Sequence, residues 1–301
     1  MIADRGDSVT TMSDHEPQSD ARSPWSQQVS RWVRLACQRE VLSPKPGNVS
    51  PGNDFADATV ADFLASADAI AAIMATAPER PLGTTIFDCV EATQRVVGHN
   101  TNLGIILLIA PLAAVPAGQT LSDGIGAILN STTVNDSIAV YQAIRRAQPA
   151  GLGEVKDQDL QQAPTQNLVE CMRLAADRDL IAAQYANGFQ QVLGNGLEWL
   201  AEAQQAVESS TEQITWLAVR FMAEFGDSLI ARKCGPSMSD VVQQKAQQLL
   251  GSGWPHRSGS SADLASLDSF LRADGNRRNP GTTADFIAAV LFAGLREGRM
   301  T

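Results

Sequence analysis

The sequence predicts an all-α fold, a single compact multi-helix domain of about ten helices, and three observations carry that expectation. Aromatic residues make up only 5% of the chain while Ala and Leu abound, a mixture that favours helix over sheet. Apolar residues recur at helical spacing in one segment after another, and no run alternates with period two over a useful length. Pro, Gly, Ser and Asn clusters interrupt these segments at short intervals, as turns between helices do.

The first two dozen residues are polar and acidic and read as a disordered tail, residues 1–24, ahead of a helical domain over residues 25–301. From Trp25 onward, Val29, Trp32, Val33, Ala36 and Cys37 share one helical face, and Pro44 to Gly47 stop that helix. Thr59 is placed to cap the next, with Phe63, Ala67, Ile70 and Ile73 inward. An amphipathic segment over Thr84 to Val97 ends at Gly98-His99-Asn100, and the most apolar helix of the chain begins at Leu103. Thr133-Val134-Asn135-Asp136 looks like another helix start. The stretch from Asn167 to Gln205 contains helical patterns broken at Asp177 and at Gly194-Asn195-Gly196. Thr211 to Ala231 reads as one long helix, Ser239 to Leu250 as another, Gly251 to Ser261 as a flexible loop, and Leu264 to Ala273 and Thr282 to Gly298 as the last two helices.

Composition narrows the function. A net charge of −10 argues against a nucleic-acid or anionic-membrane partner, both of which need a cationic surface. Cys37, Cys89, Cys171 and Cys234 are too scattered for a zinc or redox motif and are expected as four buried free thiols in a reducing compartment. The tail has no apolar signal segment, and the run from Leu103 to Val115 is too short to cross a bilayer core of roughly 30 Å, so a cytoplasmic protein is expected.

Three polar turns lead toward apolar segments: Pro44-Lys45-Pro46-Gly47-Asn48-Val49, Gly98-His99-Asn100-Thr101-Asn102-Leu103-Gly104, and Arg277-Arg278-Asn279-Pro280-Gly281-Thr282-Thr283-Ala284-Asp285. Read as helix starts, they offer unpaired N–H groups to phosphate oxygens. Each also has an ordinary structural explanation: Lys45 as a solvated loop lysine, Thr282 or Thr283 as an N-cap, Asp285 as a first-turn acid balancing the helix dipole. Asp54, Asp57, Asp227 and Asp285 are scattered acids of the kind that hold Mg²⁺ against substrate phosphates. No GxSxG, HExxH, GxxxxGK[ST] or strand-borne GxGxxG motif is present.

Taken together, the turns resemble the motif set of the triphosphoribosyl-dephospho-CoA synthases that serve citrate lyase and malonate decarboxylase. The family's opening pattern is similar to Ala36-Cys37, Glu40-Val41 and Pro44-Lys45-Pro46-Gly47, followed by an acidic loop at Asp54-Phe55-Ala56-Asp57. Its Asn-Thr-His-Lys-Gly motif corresponds to Asn100-Thr101-Asn102-Leu103-Gly104, and its closing Pro-Gly-Gly-Ser-Ala-Asp to Pro280-Gly281-Thr282-Thr283-Ala284-Asp285. Asn102-Leu103 in place of His-Lys, and Thr282-Thr283 in place of Gly-Ser, mark a divergent branch.

The resemblance implies an all-helical enzyme that joins the ribose C1′ of ATP to the 2′-hydroxyl of dephospho-CoA and expels adenine, with Mg²⁺ on the triphosphate. It implies small-molecule substrates, and the chain could act singly or as a homo-oligomer. Lys45, Arg232 and Lys233 are then the phosphate cations, with Gly47, Asn100, Thr101, Asn102, Gly104, Gly281, Thr282 and Thr283 holding the nucleotide. Asp54, Asp57, Asp227 and Asp285 bind metal or move protons, and His99 is a candidate general acid. On this reading Lys45→Ala weakens ATP binding by about 1.5–3 kcal/mol and leaves stability nearly unchanged. A transferase of pterin-linked one-carbon metabolism and a non-catalytic nucleotide-binding protein stay open as alternatives.

Overall fold

The computed structural model describes residues 23–150 and 160–301, and every regular element among them is helical. Helix α1 (Pro24–Leu42) starts with Ser23 Oγ accepting from the Ser26 N–H, and with Pro24 at the first position, where a missing N–H costs nothing. The expected tail therefore gives way to helix at residue 24, and its residues 1–22 lie outside the described residues. Helix α2 (Val60–Met74) is opened by the expected Thr59, whose hydroxyl accepts from the Asp62 N–H while the Asp62 carboxylate accepts from the Thr59 N–H. Helices α3 (Leu82–Val96), α4 (Leu103–Ala114) and α5 (Leu121–Asn130) follow, then α6 (Val134–Ala147), which repeats the reciprocal cap with Thr133 and Asp136.

The second half holds α7 (Leu168–Arg173), α8 (Leu180–Asn187), α9 (Leu197–Ala206), α10 (Ser210–Phe225), α11 (Ser228–Cys234), α12 (Pro236–Gly251), α13 (Ser260–Arg272) and α14 (Gly281–Arg296). Fourteen helices among the described residues thus replace the ten or so expected. The excess has local causes. The single helix expected over Thr211 to Ala231 is cut at Gly226, whose φ of 65° leaves the helical region, and Asp227 caps a new helix by accepting from the Leu229 and Ile230 N–H groups. The break expected at Gly194-Asn195-Gly196 is instead a π-helical turn, Gln191–Gly196, that runs into α9. It lets the bare Cα of Gly196 rest against Val290, where a Cβ would collide.

Helix α4 is the axis of the fold, with all twelve of its residues buried. Pro111 lies inside it and has no N–H to offer the Leu107 carbonyl. The buried Tyr185 hydroxyl on α8 donates to that carbonyl instead, at 2.7 Å. Helix α14 lies beside α4 and parallel to it. Gly104, in the first turn of α4, meets Asp285 just past the first turn of α14, while at the far end the buried Arg296 donates to the carbonyls of Leu112 at 3.0 Å and Val115 at 2.8 Å. Its guanidinium also sits 5.0 Å over the Trp25 ring, which places the start of α1 at the same end.

The main core surrounds this pair, and a smaller one joins α10 to α13 through Val219, Met222, Ile230, Val242, Leu249 and Leu271. Cys37, Cys89 and Cys171 are buried free thiols as expected, but Cys234 is partly exposed at the end of α11. Among the described residues no helix is long and apolar enough to cross a membrane.

Candidate active site

The aligned first turns of α4 and α14 open into a cavity of about 1390 Å³. Glu40 comes to its wall from the end of α1, Asp57 from the loop before α2, and His99 to Gly104 from the turn between α3 and α4. Arg178 and Asp179 arrive just before α8, Arg232 and Lys233 on α11, and Gly281, Thr282 and Asp285 on α14.

Asp285 occupies the middle of this arrangement. It is the fifth residue of α14, beyond the first turn, so the expected role in balancing the helix dipole fails. Its carboxylate rests against Gly104 so closely that a Cβ there would overlap it. Burial pushes the Asp285 carboxyl well above its ordinary range, and the charges of Glu40, Asp227 and Asp179 push it further against the opposing pull of Arg232. Glu40 is raised too, chiefly by burial, with the Lys45 ion pair offsetting part of the rise. A carboxyl that holds its proton into the range where most carboxylates have lost theirs suits acid–base work.

The cations are partly committed. Arg232 bonds the Asp179 carboxylate and leaves its Nε without a partner, and Lys233 donates to Asn279 Oδ1 at 2.8 Å. Burial pulls the Lys233 ammonium below its usual range. Around the α3–α4 turn, Asn100 Oδ1 accepts from the Leu103 N–H at 3.1 Å, and the Thr101 hydroxyl meets that of Ser66 at 2.6 Å. Thr93 donates to Asn102 Oδ1 at 3.0 Å, which leaves Asn102 Nδ2, like His99 Nε2, buried without a partner. Such an orphaned group costs about 1–3 kcal/mol, a cost that a bound ligand would offset.

A sequence model of the ATP:dephospho-CoA triphosphoribosyl transferases matches residues 26–300. The chain belongs to that family. Over 109 residues it is 31% identical to a Pseudomonas putida protein named as a probable 2-(5''-triphosphoribosyl)-3'-dephosphocoenzyme-A synthase, a match spanning 36% of this chain and 38% of that protein. A crystal structure from Archaeoglobus fulgidus, assigned as a triphosphoribosyl-dephospho-CoA synthase, superimposes with a TM-score of 0.63 and 26% identity, covering 78% of this chain and 99% of that one.

The family's motifs do not all reach the cavity in the expected way. The third and fourth motifs do, bringing His99, Asn100, Thr101, Asn102 and Gly104 opposite Gly281, Thr282 and Asp285. The first is no helix start at all. Lys45 is buried, with Nζ 2.9 Å from Glu40 Oε1, 3.1 Å from the Ser43 carbonyl, and also bonded to the Glu40 carbonyl. It faces into the protein and pairs with Glu40, where a solvated loop lysine or a phosphate contact was expected. Gly47, at φ 74°, donates to Asp268 Oδ1 at 2.7 Å, and a Cβ there would come within 2.6 Å of Leu271 and 2.9 Å of Pro280. Its close approach is to α13 and the fourth motif rather than to a ligand.

The four proposed metal carboxylates are dispersed. Asp54 is exposed and accepts from the Val60 N–H at 2.8 Å, away from the cavity wall. Asp227 is fully buried, with Oδ1 taking the Leu229 and Ile230 N–H groups and Oδ2 taking the N–H and hydroxyl of Thr283. These bonds make Asp227 and Thr283 a tie between α11 and α14. Neither Thr282 nor Thr283 caps α14, since Pro280 holds the cap position; the Thr282 hydroxyl meets the Ser228 hydroxyl at 3.0 Å and accepts from the Leu229 N–H at 3.1 Å. Asp57 and Asp285 remain at the cavity. Among the described residues no cluster of three or more His, Cys, Asp or Glu is arranged to hold a metal.

Glu40, Asp179, Arg146 and Arg178 line the cavity and were not among the expected site residues. Glu40 stood within the quoted family pattern, and Asp179 before an apolar segment was legible as a helix cap. Arg146 and Arg178 carried no sequence signal beyond their charge.

Proposed function

We propose that this chain transfers the triphosphoribosyl group of ATP to the 2′-hydroxyl of dephospho-CoA and releases adenine. The observation that carries the reading is one cavity, gathering the third and fourth family motifs about Asp285. Its volume of about 1390 Å³ exceeds the roughly 300–1,000 Å³ of a pocket for one drug-sized ligand and leaves room for two nucleotides together.

In the reaction the acceptor oxygen bonds to C1′, and the electron pair of the C1′–N9 bond leaves with adenine. The acceptor hydroxyl loses a proton, and the departing base takes one up. Asp285, with its raised carboxyl, is the group we assign to proton movement at the acceptor. His99, with Nε2 unpartnered in the wall, is assigned to the leaving base. Arg232 and Lys233 receive the triphosphate, and Gly104 fixes the position of Asp285 by excluding any side chain beside it.

The residues fit a magnesium ion held chiefly by substrate phosphates. Magnesium takes one or two carboxylates together with phosphate oxygens, and the exposed Asp57 lines the cavity near enough to Lys233 for its charge to act there. Asp57 would hold the ion beside the triphosphate, and the ion would neutralise phosphate charge.

The test is to incubate the protein with ATP, magnesium and dephospho-CoA and to follow adenine and product mass. Adenine with the matching mass gain on dephospho-CoA supports the proposal. Adenine release only with a pterin-linked acceptor, or no release with any acceptor, overturns it.

A further inference from the structure

We propose that the corner of the cavity between α2 and the α3–α4 turn is a purine-base subsite, which holds the adenine of ATP through Asn102 and His99 against the ring of Phe63. The inference deepens the proposed function and rests on its reading of the substrate as a nucleotide.

Three contacts assemble this corner. The Ser66–Thr101 hydroxyl contact at 2.6 Å pins the turn to α2, and Phe63 lies one helical turn before Ser66, on the same face. The Thr93–Asn102 bond at 3.0 Å pins it to α3. Asp62, next to Phe63, is close enough for the charge of His99 to act on its carboxyl. Phe63, His99 and Asn102 therefore share one part of the wall, with Gln94 next to Thr93.

The chemistry of the corner selects the ligand. Asn102 is only 4% exposed, and its Nδ2 is a buried donor without a partner; His99 Nε2 is a second unpartnered nitrogen. Both call for polar atoms on whatever fills the space. The Phe63 ring calls for a flat apolar surface. A purine meets both demands, since its faces stack on aromatic side chains and its edge carries ring nitrogens that an asparagine amide reads.

Phosphate suits the corner poorly. Leu103 stands where the family motif has lysine and is itself buried, so the start of α4 carries no side-chain cation. Of the wall's cations, Arg232 and Lys233 stand on α11 and Arg178 in the turn before α8, while Arg146 on α6 is paired with Glu91 of α3 at 2.7 Å. The phosphates belong with the first three, and the corner offers the base an aromatic ring and an amide.

The variant Asn102→Asp keeps the acceptor that Thr93 uses and exchanges the free donor for an acceptor; Phe63→Leu removes the ring. Calorimetric titration of wild type and both variants with ATP, with inorganic tripolyphosphate and with dephospho-CoA reads the subsite, and melting curves verify the fold. The expected result is a tenfold or greater loss of ATP affinity in each variant, with tripolyphosphate and dephospho-CoA affinities held within about twofold. Equal losses for ATP and tripolyphosphate, a loss confined to dephospho-CoA, or no loss at all would overturn the subsite. Should the wild type bind ATP with these dependencies yet release no adenine with any acceptor, the subsite stands and the transfer reaction falls.

Discussion

At Lys45 the local sequence and the tertiary structure say different things. Two flanking prolines hold the backbone, which reads equally as a device for presenting the ammonium outward or for driving it inward; only the position of Glu40 at the end of α1 decides. Removing the cation leaves a buried carboxylate unbalanced, so Lys45→Met should destabilise the fold by about 3–5 kcal/mol in urea melts, and adding Glu40→Gln should recover much of the loss. Asp285 gives a test of opposite kind. Its folded carboxyl is raised above the ordinary 3.8, so its contribution to stability is complete below that value and is lost as pH climbs through the folded range. The groups acting on it are Glu40, Asp227, Asp179 and Arg232, and Asp285→Asn removes the titration while leaving them in place. The melting temperature of Asp285→Asn relative to wild type should therefore rise as pH climbs above 3.8 and level off once the folded carboxyl has ionised; a constant difference would show that Asp285 titrates normally. The same variant should lose transfer activity by about 10²-fold or more if Asp285 carries the proton.

Helices announce themselves through apolar spacing, and the caps at Thr59 and Thr133 were legible because hydroxyl and carboxylate stand three residues apart. Asp227 was not, because the apolar pattern of α10 continues into α11 and conceals the turn at Gly226. The four acceptor bonds of Asp227 cap α11 and fasten α14 to it, so Asp227→Ala should cost about 3 kcal/mol, combining a lost cap with lost bonds to a charged group. Asp227→Asn, which preserves the Oδ1 cap, should cost less. Nor could the sequence couple Pro111 to Tyr185, since the carbonyl freed by the proline is met from another helix. Tyr185→Phe should destabilise by about 1–3 kcal/mol, measured by thermal melts, because the Leu107 carbonyl then stays buried and unpaired.

For the molecule as a whole, the all-helical class was legible from composition and period, and part of the cavity from the third and fourth motifs. What escaped was convergence. Glu40, Asp179, Arg146 and Arg178 join the site through contacts between elements distant in sequence, while Lys45, Asp54 and Asp227 leave it for partners that only folding reveals. If two substrates occupy the cavity, ATP with magnesium at about a hundred times its dissociation constant should stabilise the native state by about 2.7 kcal/mol, seen as a raised melting temperature. The parallel course of α4 and α14 carries one more consequence, in the electric potential. Each helix places roughly half a positive charge at its first turn and half a negative charge at its last. Side by side and parallel, their fields add, and Arg296, held at the common negative end and charged at neutral pH even with its pKa pulled down to about 10, cancels that pole while leaving the other. A protein with a net charge of −10 thereby keeps the positive poles of two helices turned toward its cavity, and a guanidinium about 18 Å away, the length of α4, helps to maintain them.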